Sequence, residues 1–373
     1  RATTNIFQIE PRFITLTPCS GTVGTTITIE GTGYQGDKTI RISFGSTITI
    51  TTTTSSTNGT FSTTFIINTQ PYSTRTITAQ TTTGLSESSN TDFFIITSRY
   101  TEPKSGNVGN IVSVYGAGYK ANEELHIHFG TMITITTTTA SINGSFSTTF
   151  MVNSQTYGTK QISVTGTGIP EIRFAGSYTI LPKLMFVAPT TGPVDTVVTI
   201  IAAGYSSGTV RIDFGSHNTI TTAIVNGNGT FSITFVIDTQ PLSTWQNGDK
   251  VITVTGYGPE PYCTQLYILV PKVTPIPASG PVGTIVTLIG KGYYWKTTGD
   301  GGNNNIEITF GTSAMWGPIG DEDVSSNGTF SATFILDTQP GGITVITTNA
   351  LPNGELDATT TFYITGDITY LAP

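Results

Sequence analysis

One phrase recurs four times along the chain, and any fold proposed for it must repeat with that phrase. SGTVGTTITIEGTGY begins at Ser20 and returns as SGNVGNIVSVYGAGY from Ser105, TGPVDTVVTIIAAGY from Thr191 and SGPVGTIVTLIGKGY from Ser279. A short alternating run follows each time: IRISFG (40–45), LHIHFG (125–130), VRIDFG (210–215) and IEITFG (306–311). Then come an Asn-Gly turn and exits such as INTQP (67–71), IDTQP (237–241) and LDTQP (336–340). The period is about 86 residues, so one unit is written four times.

Within each unit, apolar and polar residues alternate, as in Ile27-Thr28-Ile29 and Ile40-Arg41-Ile42-Ser43-Phe44. Side chains on a strand point alternately to its two faces, so this period of two describes strands with one wet face. No window carries apolar residues at the helical i, i+3, i+4, i+7 spacing, and good helix formers are scarce. About seven short strands per unit, punctuated by Gly, Pro and Asn, predict an all-β chain of four tandem immunoglobulin-like β-sandwich domains in an extended array. The expected divisions are an extra strand and linker over 1–17, repeats over 18–98, 99–182, 183–271 and 272–366, and the start of a further repeat or tail over 367–373.

Composition narrows the setting. With 373 residues, 36% of them hydrophobic, the chain can supply a core for each unit. Only 10% of residues are charged, against roughly 25% in ordinary globular proteins, and Thr, Ser and Gly fill the polar positions. That balance points outside the cytoplasm, to an extracellular or cell-surface location. The net charge of -7 comes without any Lys/Arg run, so nucleic acid is not an expected partner. No apolar run approaches the roughly 20 residues of a membrane span. The chain opens at Arg1 without a charged-then-apolar leader, as a mature or excerpted sequence would.

The phrase P-x-S-G-x-V-G-T-x-x-T-I-x-G-x-G-Y resembles the first third of IPT/TIG-type and related immunoglobulin-like repeats of prokaryotic cell-surface proteins. It is present in all four copies, with Asp195 and Ala203 standing for two of the glycines in the third. The resemblance implies the sandwich fold and a place among spacers, adhesin stalks, surface-layer units and filament subunits.

Catalysis needs convergent acid, base, nucleophile or metal, and the chain offers three histidines, two distant cysteines and isolated carboxylates. No enzymatic role and no cofactor are expected. His126 and His128 share one strand face, but Arg41 and Ser43, Arg211 and Asp213, and Glu307 and Thr309 hold the matching places, so the pair reads as solvated strand residues and no metal site is expected. The fourth copy inserts TTGDGGNNN (297–305) and GDED (320–323), oxygen-rich loops without the spaced ligands of a calcium site. Asn68, Asn153, Asp238 and Asp337, each before Thr-Gln or Ser-Gln, read as Asx turns that close a strand, since no lysine recurs in register for an isopeptide bond. Cys19 and Cys263 read as unpaired thiols or as partners in a bond between subunits.

Two features call for a partner. Asn58, Asn143, Asn228 and Asn327 are each followed by Gly and then Thr or Ser, and no other Asn-x-Ser/Thr occurs in the chain. Asn-Gly supplies the positive φ that a two-residue hairpin wants, which places all four as N-glycan acceptors at hairpin tips. Secondly, ATTNIFQIEPRFITLTP (2–18) matches ATTTFYITGDITYLAP (358–373) and the junctions between copies. Thr4, Asn5, Ile6, Phe7, Gln8 and Ile9 therefore read as a closing strand surplus to the four units, to be paired in another module by strand donation.

The expectation is a non-enzymatic structural subunit of an extracellular filament or surface layer that assembles head to tail with itself. The alternative is an adhesin stalk presenting a carbohydrate- or protein-binding tip. In that case Tyr293, Tyr294, Trp295 and Trp316 would be its sugar-stacking aromatics.

Overall fold

The computed structural model describes residues 8–167, 169–243, 248–295, 306–311, 313–315, 324–350 and 355–366. Every regular element among them is a strand. The chain forms two compact units, one of residues 1–153 and 159–180, the other of residues 154–158 and 181–373.

The first repeat shows the plan. Its strands are β1 (Arg12–Thr17), β2 (Ser20–Thr22), β3 (Thr26–Thr32), β4 (Thr39–Phe44), β5 (Thr47–Thr54), β6 (Phe61–Ile66), β7 (Thr74–Thr81) and β8 (Ser88–Ile96). They build a three-stranded sheet in the order β1-β3-β6 and a five-stranded sheet in the order β2-β8-β7-β4-β5. The other three repeats reproduce both orders, so each is an immunoglobulin-like sandwich. The neighbouring strands are antiparallel except at one seam. There β2 runs parallel to β8, with Ser20 beside Phe94, and the same seam joins Thr191 to Ile268 and Ser279 to Tyr363.

Alternation builds the core. On β3, Ile27 and Ile29 point inward while Thr28 and Glu30 face out, and on β4 Ile40, Ile42 and Phe44 do the same. Phe61, Phe65, Ile77, Phe93 and Ile95 complete the first core from the facing strands. Removing each such side chain from water is worth roughly 1.5–3 kcal/mol, which holds two sheets together that share few hydrogen bonds.

Several expectations change. Residues 12–17 are not linker: β1 pairs with β3 (Leu16 opposite Ile29) and belongs to the first sandwich. The repeat has eight strands, because the segment up to Thr22 breaks into β1 and β2, one in each sheet. The glycine of the third repeat is replaced by Ala202 and not by Ala203. Register decides this, since Ala202 lies opposite Phe231 as Gly31 lies opposite Phe61 and Gly290 opposite Phe330. Asp195 does stand for a glycine; its φ of 74° matches the 90° of Gly24 and Gly283, in a region Asp tolerates better than most residues.

The Asn-Gly turn is not a two-residue hairpin. It carries β5 of the five-stranded sheet over to β6 of the three-stranded sheet, so the strands it links are not paired. Gly59 has φ of 73°, whereas Asn58 is not in the positive region. Gly59 N–H donates to the Ser56 carbonyl at 2.9 Å and Ser56 N–H to the Thr60 carbonyl at 2.7 Å. This is a three-residue loop with its left-handed residue last, a geometry that asks for glycine only at the end.

Candidate interface and glycan-acceptor sites

The same turn recurs at 141–145, 226–230 and 325–329, with Gly144, Gly229 and Gly328 at φ of 74°, 78° and 79°. In every copy the Asn is exposed and the Gly is buried. The glycine is buried because its carbonyl accepts the N–H of the tyrosine that ends the opening phrase: Tyr34 from Gly59 at 3.1 Å, Tyr119 from Gly144 at 2.9 Å, Tyr205 from Gly229 at 3.1 Å and Tyr293 from Gly328 at 3.0 Å. The tyrosine ring then meets the phenylalanine just past the turn edge-on, with centroids 5.4, 5.2, 5.3 and 4.9 Å apart in chain order. Burial pushes the Tyr34 phenol above its ordinary range, against the opposing pull of its hydrogen bond with the Ser89 hydroxyl. The two most recurrent phrases in the sequence are thus two halves of one contact.

Side chains add a local reason for the Thr or Ser. The Ser56 and Thr60 hydroxyls bond across the turn at 2.8 Å, Ser141 and Ser145 at 2.9 Å, and Ser325 and Thr329 at 2.7 Å. Thr230 and Thr329 donate to the Asn228 and Asn327 amide oxygens at 2.7 and 2.8 Å. Turn chemistry alone therefore accounts for Asn, Gly and Thr together, while the outward Asn amide leaves each acceptor accessible.

A second recurrent site had no sequence reading of its own. Gln70 and Gln240, two residues after Asn68 and Asp238, are buried, and each side chain staples the turn between the fourth and fifth strands. Gln70 Nε2 donates to the Phe44 carbonyl at 2.8 Å and to Asn68 Oδ1 at 3.0 Å; Gln240 Nε2 donates to Phe214 at 2.8 Å and to Asp238 Oδ1 at 2.9 Å. So Asn68 and Asp238 serve this staple instead of an Asx turn; Asn68 also reaches Thr47 and Asp238 reaches His217, both at 2.6 Å. At Asp337, Thr338 N–H donates to Oδ1 at 2.6 Å, a bond to the next residue and not the two-residue reach of an Asx turn.

The loop that follows the staple makes the junction between repeats. In the first unit, Tyr72 N–H donates to the Tyr119 carbonyl of the second repeat at 2.9 Å, and Pro71 Cα lies 2.8 Å from where a Cβ on Gly144 would stand. In the second unit, Leu242 N–H donates to the Tyr293 carbonyl of the fourth repeat at 3.2 Å, and Pro241 Cα lies 2.6 Å from a Cβ on Gly328. The exit of one sandwich therefore seats on the Tyr–Gly contact of the next, with no room for a side chain at that glycine.

The remaining candidates are placed as follows. Thr4, Asn5, Ile6 and Phe7 lie outside the described residues; Gln8 and Ile9 are not in a strand, and Ile9 is 67% exposed. Glu10 seats its carbonyl 2.6 Å from a Cβ on Gly33, as Ile96 does at 2.9 Å on Gly118. His126 and His128 are half-buried on the outer face of their sheet, His128 Nε2 bonds Thr165 Oγ1 at 2.7 Å, and burial, then the neighbouring His126, lowers the His128 pKa. Among the described residues no group of three or more His, Cys, Asp or Glu converges. Cys19 is exposed, Cys263 half-buried, and both are free. Tyr293 is core, Tyr294 and Trp295 are half-buried, and Trp316 and the inserted segments 297–305 and 320–323 lie outside the described residues. No helix among the described residues is long and apolar enough to cross a membrane.

No family model and no curated protein matches this sequence. Among solved structures, the chain is similar to an ICAM-5 D1–D4 ectodomain fragment (12% identity, TM-score 0.24, covering 95% of this chain and 100% of that one). It is also similar to invasin, a bacterial integrin-binding protein (14%, TM-score 0.26, 95% and 79%), and to a tetra-tandem repeat from the extending region of a large adhesion protein (13%, TM-score 0.24, 96% and 99%). At these values the likenesses add nothing to the architecture read from the strands.

Proposed function

We propose that the chain is a non-enzymatic structural subunit of an extracellular filament or surface layer, built from IPT/TIG-like repeats and assembling end to end. The observation that carries this reading is the recurrent junction, in which one sandwich's exit loop seats on the Tyr–Gly contact of the next. A module that meets its neighbour through a fixed main-chain contact suits a propagating structure more than a solitary binding domain. A Thr-rich exterior with few charges suits exposure outside the cell, and the four exposed asparagines suit N-linked glycans on it.

The same junction also serves an adhesin stalk. The insertions that set the fourth repeat apart from the other three favour placing a binding tip there.

Negative-stain imaging of native material separates these readings. Long filaments or a periodic sheet are expected; lone rods carrying a distinct tip would favour the stalk and overturn the filament.

A further inference from the structure

We infer that a second copy of this chain docks through loop 338–341 of its fourth repeat onto the Tyr34–Gly59 contact of the first repeat, a specific interface for the end-to-end assembly proposed above and resting on that reading.

Both halves of this interface already exist. The acceptor is formed: Tyr34 N–H donates to the Gly59 carbonyl at 3.1 Å, as in the three acceptors that are occupied, Tyr119–Gly144, Tyr205–Gly229 and Tyr293–Gly328. Glu10 already lies on Gly33 where Ile96 lies on Gly118, so the chain enters the first repeat along the path it takes at a junction. The Tyr34 carbonyl accepts no backbone bond among the described residues, while Tyr119 and Tyr293 accept from Tyr72 and Leu242. Tyr34 is correspondingly 5% exposed, against 2% and 1% for Tyr119 and Tyr293.

The donor is equally complete. Asp337-Thr338-Gln339-Pro340-Gly341 repeats the Asn68 to Tyr72 and Asp238 to Leu242 segments, and strand register also sets Gly341 at the place of Tyr72. Where the loop is seated, Pro71, Tyr72 and Pro241 are half-buried and Leu242 is buried; here Pro340 and Gly341 are exposed, and Gln339 is less buried than Gln70 and Gln240. Such a loop and cradle pair within the chain as Tyr72 with Tyr119, Tyr157 with Tyr205 and Leu242 with Tyr293, while Gly341 is exposed and the Tyr34 carbonyl accepts no backbone bond among the described residues; a second copy supplies the further pairing. The Gly341 N–H is the donor, the Tyr34 carbonyl the acceptor, and Pro340 packs over Gly59. An interface this small is weak in solution and gains from repetition along a polymer.

The test is sedimentation velocity on the purified chain from about 1 µM to about 1 mM, beside Gly341→Pro, which removes the donating N–H, and Pro340→Arg, which puts bulk and charge against Gly59. Circular dichroism and thermal melting confirm that each variant is folded. Mass that rises with concentration in the wild-type chain, with association at least tenfold weaker in both folded variants, is expected. A wild-type chain that stays monomeric throughout, or variants that associate as it does, would overturn the proposal. Its failure is distinct from that of the filament reading: native filaments beside unaffected variants sink the loop alone, while loop-dependent association beside lone native rods sinks the filament alone.

Discussion

Gly31 and Phe61 stand opposite each other on β3 and β6 with no space between them. A Cβ on Gly31 would lie 2.3 Å from Phe61 Cε1, and the pairs Gly116–Phe146 and Gly290–Phe330 are as tight at 2.2 and 1.9 Å. The third repeat carries Ala202 opposite Phe231, so the site admits one methyl where the ring has settled around it. Gly116→Val should therefore destabilise its repeat by about 1–3 kcal/mol, and Gly116→Ala by less. Hydrogen exchange over Ile111–Ala117 and Phe146–Met151 reads this locally; protection unchanged in Gly116→Val would contradict the steric account.

Gln240→Ala leaves the Phe214 carbonyl and the Ser216 N–H, now satisfied at 2.8 and 3.1 Å, without the buried side chain that holds both. The expected loss is about 1–3 kcal/mol. Faster amide exchange in Gly208–Phe214 and His217–Val225 is the signature. Gln240→Glu, which keeps the shape but loses both donated bonds, should not rescue it.

His128 is held neutral by burial and by His126 beside it, so its folded pKa lies below the ordinary imidazole value of about 6.5. The unfolded chain then binds the extra proton first. Stability from this group is present above about pH 6.5 and is lost as pH falls from there toward the folded pKa. Thermal melts at about pH 7.5 and about pH 5 should show a smaller acid-induced drop for His128→Thr than for the wild-type chain. Equal drops would remove His128 from the account.

If the outward asparagines carry glycans, all four should do so alike, because Asn58, Asn143, Asn228 and Asn327 share one turn geometry and one exposure. Intact-glycopeptide mass spectrometry of native material should find the four peptides modified. Four bare peptides would leave the Thr and Ser hydroxyls with their turn role only.

Deleting residues 1–10 should leave four folded sandwiches, since β1 begins at Arg12. If residues 4–9 are donated to another module, the truncated chain loses polymer in negative stain. Polymer formed as before would end strand donation while leaving the Gly341–Tyr34 contact standing, because that contact uses no residue before Tyr34.

Strand content and the four sandwiches were legible because Ile27-Thr28-Ile29 and its like put one face in oil and one in water, a pattern carried by single residues. Sheet membership was not legible. β5 alternates weakly, with exposed Ile48 and no buried threonine, so nothing local says that it pairs with β4 and not with β6. Asn58-Gly59 consequently suggested a hairpin, and the hydroxyl two residues before the Asn, at Ser56, Ser141 and Ser325, was the available signal for a three-residue loop. The junction was hidden for a different reason. Its hydrogen bonds run from main chain to main chain, and only the return of Gln-Pro after Asn68, Asp238 and Asp337 hinted that the exit was more than a turn.

The parallel seam between β2 and β8 sets how a repeat bears tension. The chain enters a sandwich through β1, passes directly into β2 and leaves at the end of β8; β2 and β8 lie side by side pointing the same way, Ser20 against Phe94. Pulling on the two ends slides one along the other, so the seam's hydrogen bonds are loaded together in shear instead of being peeled apart singly. A module wired in this way resists stretching through a handful of bonds at its rim while its core stays packed. The seam returns at Thr191 with Ile268 and at Ser279 with Tyr363, so those repeats carry the same clamp.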